Sequence, residues 1–548
     1  MPKVDLRAMS VLVVIAMFAT VGPSHAWAQA GDRVARIVEA YGGAAALGRV
    51  AQAETEWGGY FMGRYQSRRA DPPYDRLPVR SWLAFDLAAE KSVIDGIGTF
   101  PGELNLGWRD INDGSRGWTL NTISRIYAEG SMHSHEGLVG MATNRMPWLL
   151  VRKMIGSPGE FKADGTRVLR GVTYDLLRHG ESTLWVHPET SLIHAMSWRE
   201  ESMVDVEVDV MRIYTDYFEH EGVMVNRRQI AWAGDEVTND LELHSVRFNH
   251  PVDDHLRIPD GFVQVPSLNG YNGVSEIGIE QIGRGVFLAG DGETRVLYVE
   301  FDDHFVAMEA GGMPEYAEQT YEAMRPHMGS KPLRYIIPTH HHDDHAVAIH
   351  FYARVGATIL TTRDKEGFMR RLLARAWGDA PPVTNARFRF IDGSRLVLED
   401  STNRLEVHVY GDAPHTEDML VGYVGREDTL YTCDVFIGWI GDVRQGASHG
   451  AQHLARWVAT GQASGALGPV RDYASCHGRA YSASEFQRLL AMKRSIVTLP
   501  GNEAWPSSNW FDRYGLSDDT AHLYSCAFSA NSLPLPCLST LESERTRK

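Results

Sequence analysis

An apolar run, Tyr335-Ile336-Ile337, stops at Pro338-Thr339 and gives way to His340-His341-His342-Asp343-Asp344-His345. No other stretch limits so tightly what this chain can fold into. Buried groups of this kind are costly unless they are paired or hold a metal, so the fold must bring partners to them. In a loop leaving a strand, alternate residues share a face, which sets His340 and His342 on one side. Asp344 and His345 then open a helix continued by Ala346–Ile349, where a carboxylate suits the positive end of the helix dipole. Imidazole and carboxylate donors together suit zinc, and also iron or manganese.

The chain is long enough for more than one domain at 548 residues. Hydrophobic and charged contents of 43% and 23% are those of a globular protein. A net charge of −16 argues against nucleic acid as the partner, because phosphate binding needs a basic face. Lys3 and Arg7 precede an apolar run from Val11 to Val21, followed by small residues at Ala28-Gln29-Ala30. Residues 1–30 therefore read as an export signal. The run is short for a membrane span, and the mature protein is expected outside the cytoplasm, in a periplasm. There, Cys526 and Cys537 are placed either to form a disulfide or to remain free thiols in the tail. Cys433 and Cys476 each precede a candidate ligand by one residue. They read as small packing residues, close enough to bond if the ligand loops converge.

Val34, Ile37, Val38 and Tyr41 recur at helical spacing, and Gly42-Gly43 ends the turn. From about Glu56 to Phe262 the pattern becomes alternating runs separated by turns. Thr183–Val186, Val204–Val210, Val223–Trp232 and Leu241–Phe248 are the clearest, and predict an antiparallel sheet with one wet face. Residues 31–265 are thus expected to form a β-rich domain, acting as one wall of the active site or as a dimer surface rather than as an apolar binding cleft. His133 and His135 read as part of a solvated loop. After a turn-forming linker around Pro266–Gly273, strands are expected at Gly285–Ala289, Val296–Phe301 and Phe305–Gly311. A helix is expected at Pro314–Met328, then the strand that enters the histidine motif.

His-x-His-x-Asp-His after an apolar strand resembles the metallo-β-lactamase superfamily, and Thr339–His345 looks most like its glyoxalase-II-type and broad-spectrum hydrolase branches. The resemblance extends to Glu309-Ala310-Gly311, where the family has Asp-x-Gly. It includes His415 in Gly411-Asp412-Ala413-Pro414-His415-Thr416, Asp434 after Leu430–Cys433, and His477-Gly478 at a strand end. The chain departs from the family at Ala346-Val347, where Gly-Gly is usual. The resemblance implies an α+β chain whose residues 274–500 form an αββα sandwich, with a tail over 501–548. It assigns His340, His342 and His415 to one metal, Asp344, His345 and His477 to a second, and Asp434 to both. Two zinc ions are implied, with iron or manganese as alternatives. Asp344 is the implied catalytic residue, orienting a metal-bound hydroxide. The expected activity is hydrolysis of a small exported-compartment substrate, a carboxylic ester, lactone or lactam. The alternative is a non-catalytic carrier of an apolar ligand with a structural metal site.

Overall fold

A computed structural model describes residues 23–492, apart from 102–103, 203, 206, 267, 269–276, 412 and 440–442. The start of the expected export signal, most of the expected linker, the tail with its aromatic residues, and the pair Cys526 and Cys537 lie outside the described residues. Among the described residues no helix is long and apolar enough to cross a membrane.

The first module is one long sheet with helices on one face. Strands from Gln52–Met62 to Ile126–Glu129 follow one another as antiparallel neighbours, as do those from Lys162–Leu169 to Glu236–Phe248. The two runs join where Gln52–Met62 pairs with Glu236–Phe248. Helices Pro23–Ala40, Gly43–Arg49, His135–Arg145 and Pro147–Gly156 pack against each other and against strands far apart in that order, such as Lys91–Phe100 and Lys162–Leu169. Neighbouring strands lie about 4.8 Å apart, so a flat sheet could not reach both. The sheet therefore curls around the helices. Their shared core includes Tyr41, Trp57, Phe85, Trp148, Leu177 and Val225.

The first helix runs further towards the N-terminus than its apolar spacing predicts, starting at Pro23. It stops as expected at Gly42, whose φ of +107° no side chain accepts readily and where a Cβ would strike the Gly222 carbonyl. The strand expected at Val204–Val210 begins only at Val208 and runs to His220. The alternation misled because Val204 serves the other module and Asp205 is drawn to the Gly63–Asp75 loop. Val204 is buried in an apolar cluster with Tyr65, Phe351 and Phe368, and Asp205 accepts from Arg64 Nη2 and Tyr65 Oη at 2.7 Å each.

The second module is a two-sheet sandwich. One sheet orders its strands as Gly278–Gly283, Val286–Gly290, Arg295–Glu300, Phe305–Met308, Leu333–Ile337, Thr358–Thr361 and Phe388–Phe390. The other runs from Arg395–Glu399 through Arg404–Val409, Leu420–Val424, Thr429–Tyr431 and Asp472–Ala474 to Tyr481–Ser482. Their facing sides share Leu288, Val299, Met308, Ile337, Val407, Leu420 and Tyr431. Helices Pro314–Met328, Ile349–Arg354 and Glu366–Leu373 cover the outside of the first sheet. Helices His449–Ser464 and Ala483–Ala491 cover the second. Both faces of these strands are thus dry, so Val286–Gly290 and Leu420–Val424 are apolar at every position instead of alternating. The arrangement is the αββα sandwich that the resemblance implied.

Candidate metal centre

The site lies along one edge of the sandwich, where several strands end. His340–His345 follows Leu333–Ile337, Glu309 follows Phe305–Met308, Asp434 follows Thr429–Tyr431, and His477 follows Asp472–Ala474. His415 lies in the loop between Arg404–Val409 and Leu420–Val424. A short helical turn at Asp343–Ala346 is separated from helix Ile349–Arg354, so the motif opens one turn and not the longer helix expected.

The structure brings all seven sequence-derived candidates together. One atom each from His340, His342, His415 and Asp434 lies within 4.8 Å of the others, and the same holds for His345, Asp434 and His477 together with the Cys476 sulfur. Asp434 is the shared member. Its Oδ2 is 3.2 Å from both His345 Nε2 and His415 Nε2, and its Oδ1 is 3.1 Å from His477 Nε2. Asp344 Oδ2 lies 3.2 Å from His345 Nε2. His342 Nδ1 is 3.1 Å from His415 Nε2.

Each of the five imidazoles has its remaining nitrogen close to a protein oxygen. His340 Nδ1 is 3.0 Å from Thr339 Oγ1, and His345 Nδ1 is 3.1 Å from Glu309 Oε2. His342 Nε2 donates to the Ser67 carbonyl at 2.8 Å, His415 Nδ1 to the Pro101 carbonyl at 3.2 Å, and His477 Nδ1 to the Glu293 carbonyl. Such partners fix the orientation of a metal-binding imidazole. Glu309 is fully buried with φ at +87°, an unfavourable backbone for a side-chain-bearing residue. Its carboxylate holds that shape by accepting from Thr339 Oγ1 at 2.8 Å and Gly311 N at 2.7 Å.

The fourth histidine of the run, His341, points elsewhere. Its Nδ1 lies 2.7 Å from Asp418 Oδ1 in a separate buried pair. His133 and His135 are not part of the centre. His133 is not simply solvated, because its Nδ1 lies 2.5 Å from the buried Asp110. Cys433 and Cys476 are joined by a disulfide, tying the Asp434 loop to the His477 loop immediately behind the cluster.

Electrostatics divides the group. Burial and neighbouring imidazoles hold His340 and His342 well below the ordinary histidine range, keeping them neutral. Burial also opposes charge on His345, but Asp344, Asp434 and Glu309 outweigh it and raise its pKa. Burial alone would raise Asp434, yet His345 and His477 hold it well below the usual carboxylate range. These residues fit a metal. The His340 Nε2 atom is buried without a hydrogen-bond partner, and the donor set is nitrogen and carboxylate oxygen with outer partners in place.

The first module supplies residues that sequence reasoning did not find. The loop Gly63–Asp75, which follows strand Gln52–Met62, reaches over the cluster. Gln66 Nε2 donates to Asp344 Oδ1 at 2.8 Å and to Asp343 Oδ1 at 2.6 Å. Ser67 provides the acceptor for His342, and the Asp343 and Glu417 amides donate to the Tyr65 and Arg68 carbonyls. Only a tertiary contact across about 275 residues reveals this. A lone Gln-Ser in a polar loop carries no pattern that marks it.

Residues 308–453 match the model of the metallo-beta-lactamase superfamily. That segment of the chain is a domain of the superfamily. The match contains Glu309 and six of the seven clustered residues and ends before His477. Among solved structures the chain is similar to a metallo-beta-lactamase from Pontibacter korlensis, at 16% identity over 39% of this chain and 98% of the other, with a TM-score of 0.30. It is also similar to an inverting sec-alkylsulfatase from Pseudomonas sp., at 15% identity over 40% and 41% of the two chains, TM-score 0.29. A flavo di-iron protein variant from Thermotoga maritima shares 16% identity over 40% and 62%, TM-score 0.30. No curated protein matches the chain. A superfamily of this kind supports a metal-dependent, hydrolase-type function.

Proposed function

We propose that the protein is an exported dimetal hydrolase acting on a carboxylic ester, lactone or lactam. The observation that carries this reading is the set of five imidazoles. Each has one nitrogen near a protein oxygen and the other near the position shared with Asp434. A site that only stabilised a fold would not need so many oriented donors around two carboxylates. In this reading His340, His342 and His415 would hold one zinc ion and Asp344, His345 and His477 the other, with Asp434 available to both. Iron or manganese suits the same donors. When bound, the ions supply Lewis acidity and lower the pKa of a water molecule from about 15.7 to about 7.

The chain's own residues do the rest. Asp344 is the accessible member of the set, its side chain 45% exposed where the Asp434 side chain is 7% exposed. Burial alone would raise its carboxyl, but the neighbouring His345 outweighs this and keeps it ionised. The carboxylate would therefore orient the attacking water and relay its proton to the leaving group, while Gln66 fixes Oδ1. The Gly63–Asp75 loop and Pro101 cover the histidines from the side of the first module and limit bulk water there. The Cys433–Cys476 disulfide supports an oxidising compartment and hence export.

The test is a hydrolysis screen of the purified chain with nitrocefin, a homoserine lactone, and aryl carboxylic, phosphate and sulfate esters. Turnover of a carboxylic substrate is expected, abolished by chelator and by His342→Ala. No turnover of any substrate by the metal-loaded chain, with an apolar ligand co-purifying, overturns the reading in favour of a carrier.

A further inference from the structure

A second convergence of ligand-type side chains lies in the first module. Glu54 stands near the start of strand Gln52–Met62, between Arg247 and Ala84 on its two neighbours. His250 follows the end of strand Glu236–Phe248, and His255 closes the helical turn Asp253–His255. One ligand atom from each lies within 4.8 Å of the other two.

The hydrogen-bonding pattern leaves these atoms unclaimed. Glu54 is 7% exposed. Its Oε1 accepts from the Trp82 indole at 2.7 Å and from the Arg247 guanidinium. Its Oε2 accepts nothing, and His250 Nδ1 and His255 Nε2 are likewise buried without a hydrogen-bond partner. Buried polar atoms are normally paired, so three orphans on three clustered side chains require an explanation. Glu54 Oε2 and His250 Nδ1 are 3.5 Å apart, long for a hydrogen bond. Two ligands of one zinc ion, each about 2.0–2.2 Å from it, have roughly this separation. The Trp82 ring packs edge-on against His255 at 4.6 Å between centroids, and burial keeps that imidazole neutral. Of the nearby cations, Arg109 is neutralised by Asp95, and Arg247 lies on the Oε1 side of the carboxylate.

We propose that Glu54, His250 and His255 form a separate site for a divalent transition-metal ion such as zinc. Two histidines and one carboxylate suit such ions and leave coordination positions open, and the His250 side chain is 41% exposed towards solvent. The ion would clip the segment after the last long strand onto the first strand. That segment, through Val252, Leu256, Ile258 and Phe262, covers the apolar cluster of Ala84, Val93, Ile111 and Leu120. Glu54 lies eight strand residues before Met62, about 26 Å along the strand, so this site is distinct from the sandwich-edge cluster.

Zinc alone is the probe. The full chain is stripped with chelator, reloaded, freed of excess ion and analysed for zinc per chain by emission spectrometry. Glu54→Gln and the double variant His250→Ala with His255→Ala are each expected to hold one equivalent less than the parent. A variant with His340, His342 and His415 all changed to Ala is expected to retain that equivalent and to lose it when Glu54→Gln is added. Anomalous diffraction at the zinc edge from the loaded parent keeps the proposal testable should a variant fail to fold. A peak among the three side chains supports it. Equal zinc in the parent and the folded Glu54 and histidine variants, or no peak at Glu54 in the loaded parent, overturns it.

Discussion

At the scale of single residues, the centre depends as much on the atoms behind the ligands as on the ligands. Gln66 is the test case, because it belongs to the other module yet holds Asp344. Losing such an outer partner typically costs 10–100-fold in metal affinity or activity. Gln66→Ala is therefore expected to weaken zinc binding by about that factor in competition with a chromophoric chelator, with the circular-dichroism spectrum unchanged. Unaltered affinity would remove Gln66 from the site. Glu309 has a different failure. Glu309→Ala strips the acceptor from Thr339 Oγ1 and the Gly311 amide and leaves His345 Nδ1 without its partner. Each buried donor left unpaired costs about 1–3 kcal/mol, so urea unfolding should show a loss of about 3 kcal/mol or more. The seven candidates were legible in the sequence because metal donors recur at strand ends in a recognisable order. Gln66 and Ser67 were not, because a backbone carbonyl or a lone amide has no sequence signature.

At the scale of elements, the disulfide links the loop after Thr429–Tyr431 to the loop after Asp472–Ala474. Its closed loop spans 43 residues, and chain entropy alone gives about 4 kcal/mol for such a loop. Replacing both cysteines by Ala is expected to lower stability by about 2–4 kcal/mol and to weaken zinc binding, since Asp434 and His477 lose their common tether. The strand Ile193–Glu200 offers a pH test remote from any metal. His194 stacks on Tyr174 with centroids 4.9 Å apart, and burial first, then the charges of His187 and Arg170, lowers its pKa from 6.5 to about 4. The unfolded chain thus binds a proton that the folded one refuses between these values. The stability contribution is complete above pH 6.5 and is lost as pH falls towards 4. His194→Phe is expected to flatten chemical denaturation midpoints across that window by on the order of 2–3 kcal/mol. An unchanged pH slope would show that His194 is not the group responsible. Strands such as Val223–Ala233 were readable because buried residues alternate with half-buried ones along most of their length. Val204–Val210 was misread because part of it answers to a neighbouring module, which periodicity within one strand cannot report.

At the scale of the whole molecule, the curled sheet does more than precede the sandwich. Its loop Gly63–Asp75 and the turn at Pro101 carry oxygen acceptors to the histidines, and Tyr65 and Val204 enter the sandwich's own apolar cluster. Metal binding and the docking of the two modules should therefore be linked. Removing the ions is expected to lower the midpoint of thermal unfolding, and added zinc to raise it with concentration as mass action requires. The sandwich was recognisable from its motifs, and the first module as β-rich from its alternation. That the first module roofs the centre follows only from the folded chain, since it is set by how two apolar surfaces meet. If seven side chains hold a pair of metal ions at the sandwich edge, anomalous diffraction at the zinc edge from crystals of the loaded chain will locate them. The expected result is two peaks, about 3.5–4 Å apart, enclosed by His340, His342, Asp344, His345, His415, Asp434 and His477. A loaded crystal with no peak inside that ring would contradict that arrangement.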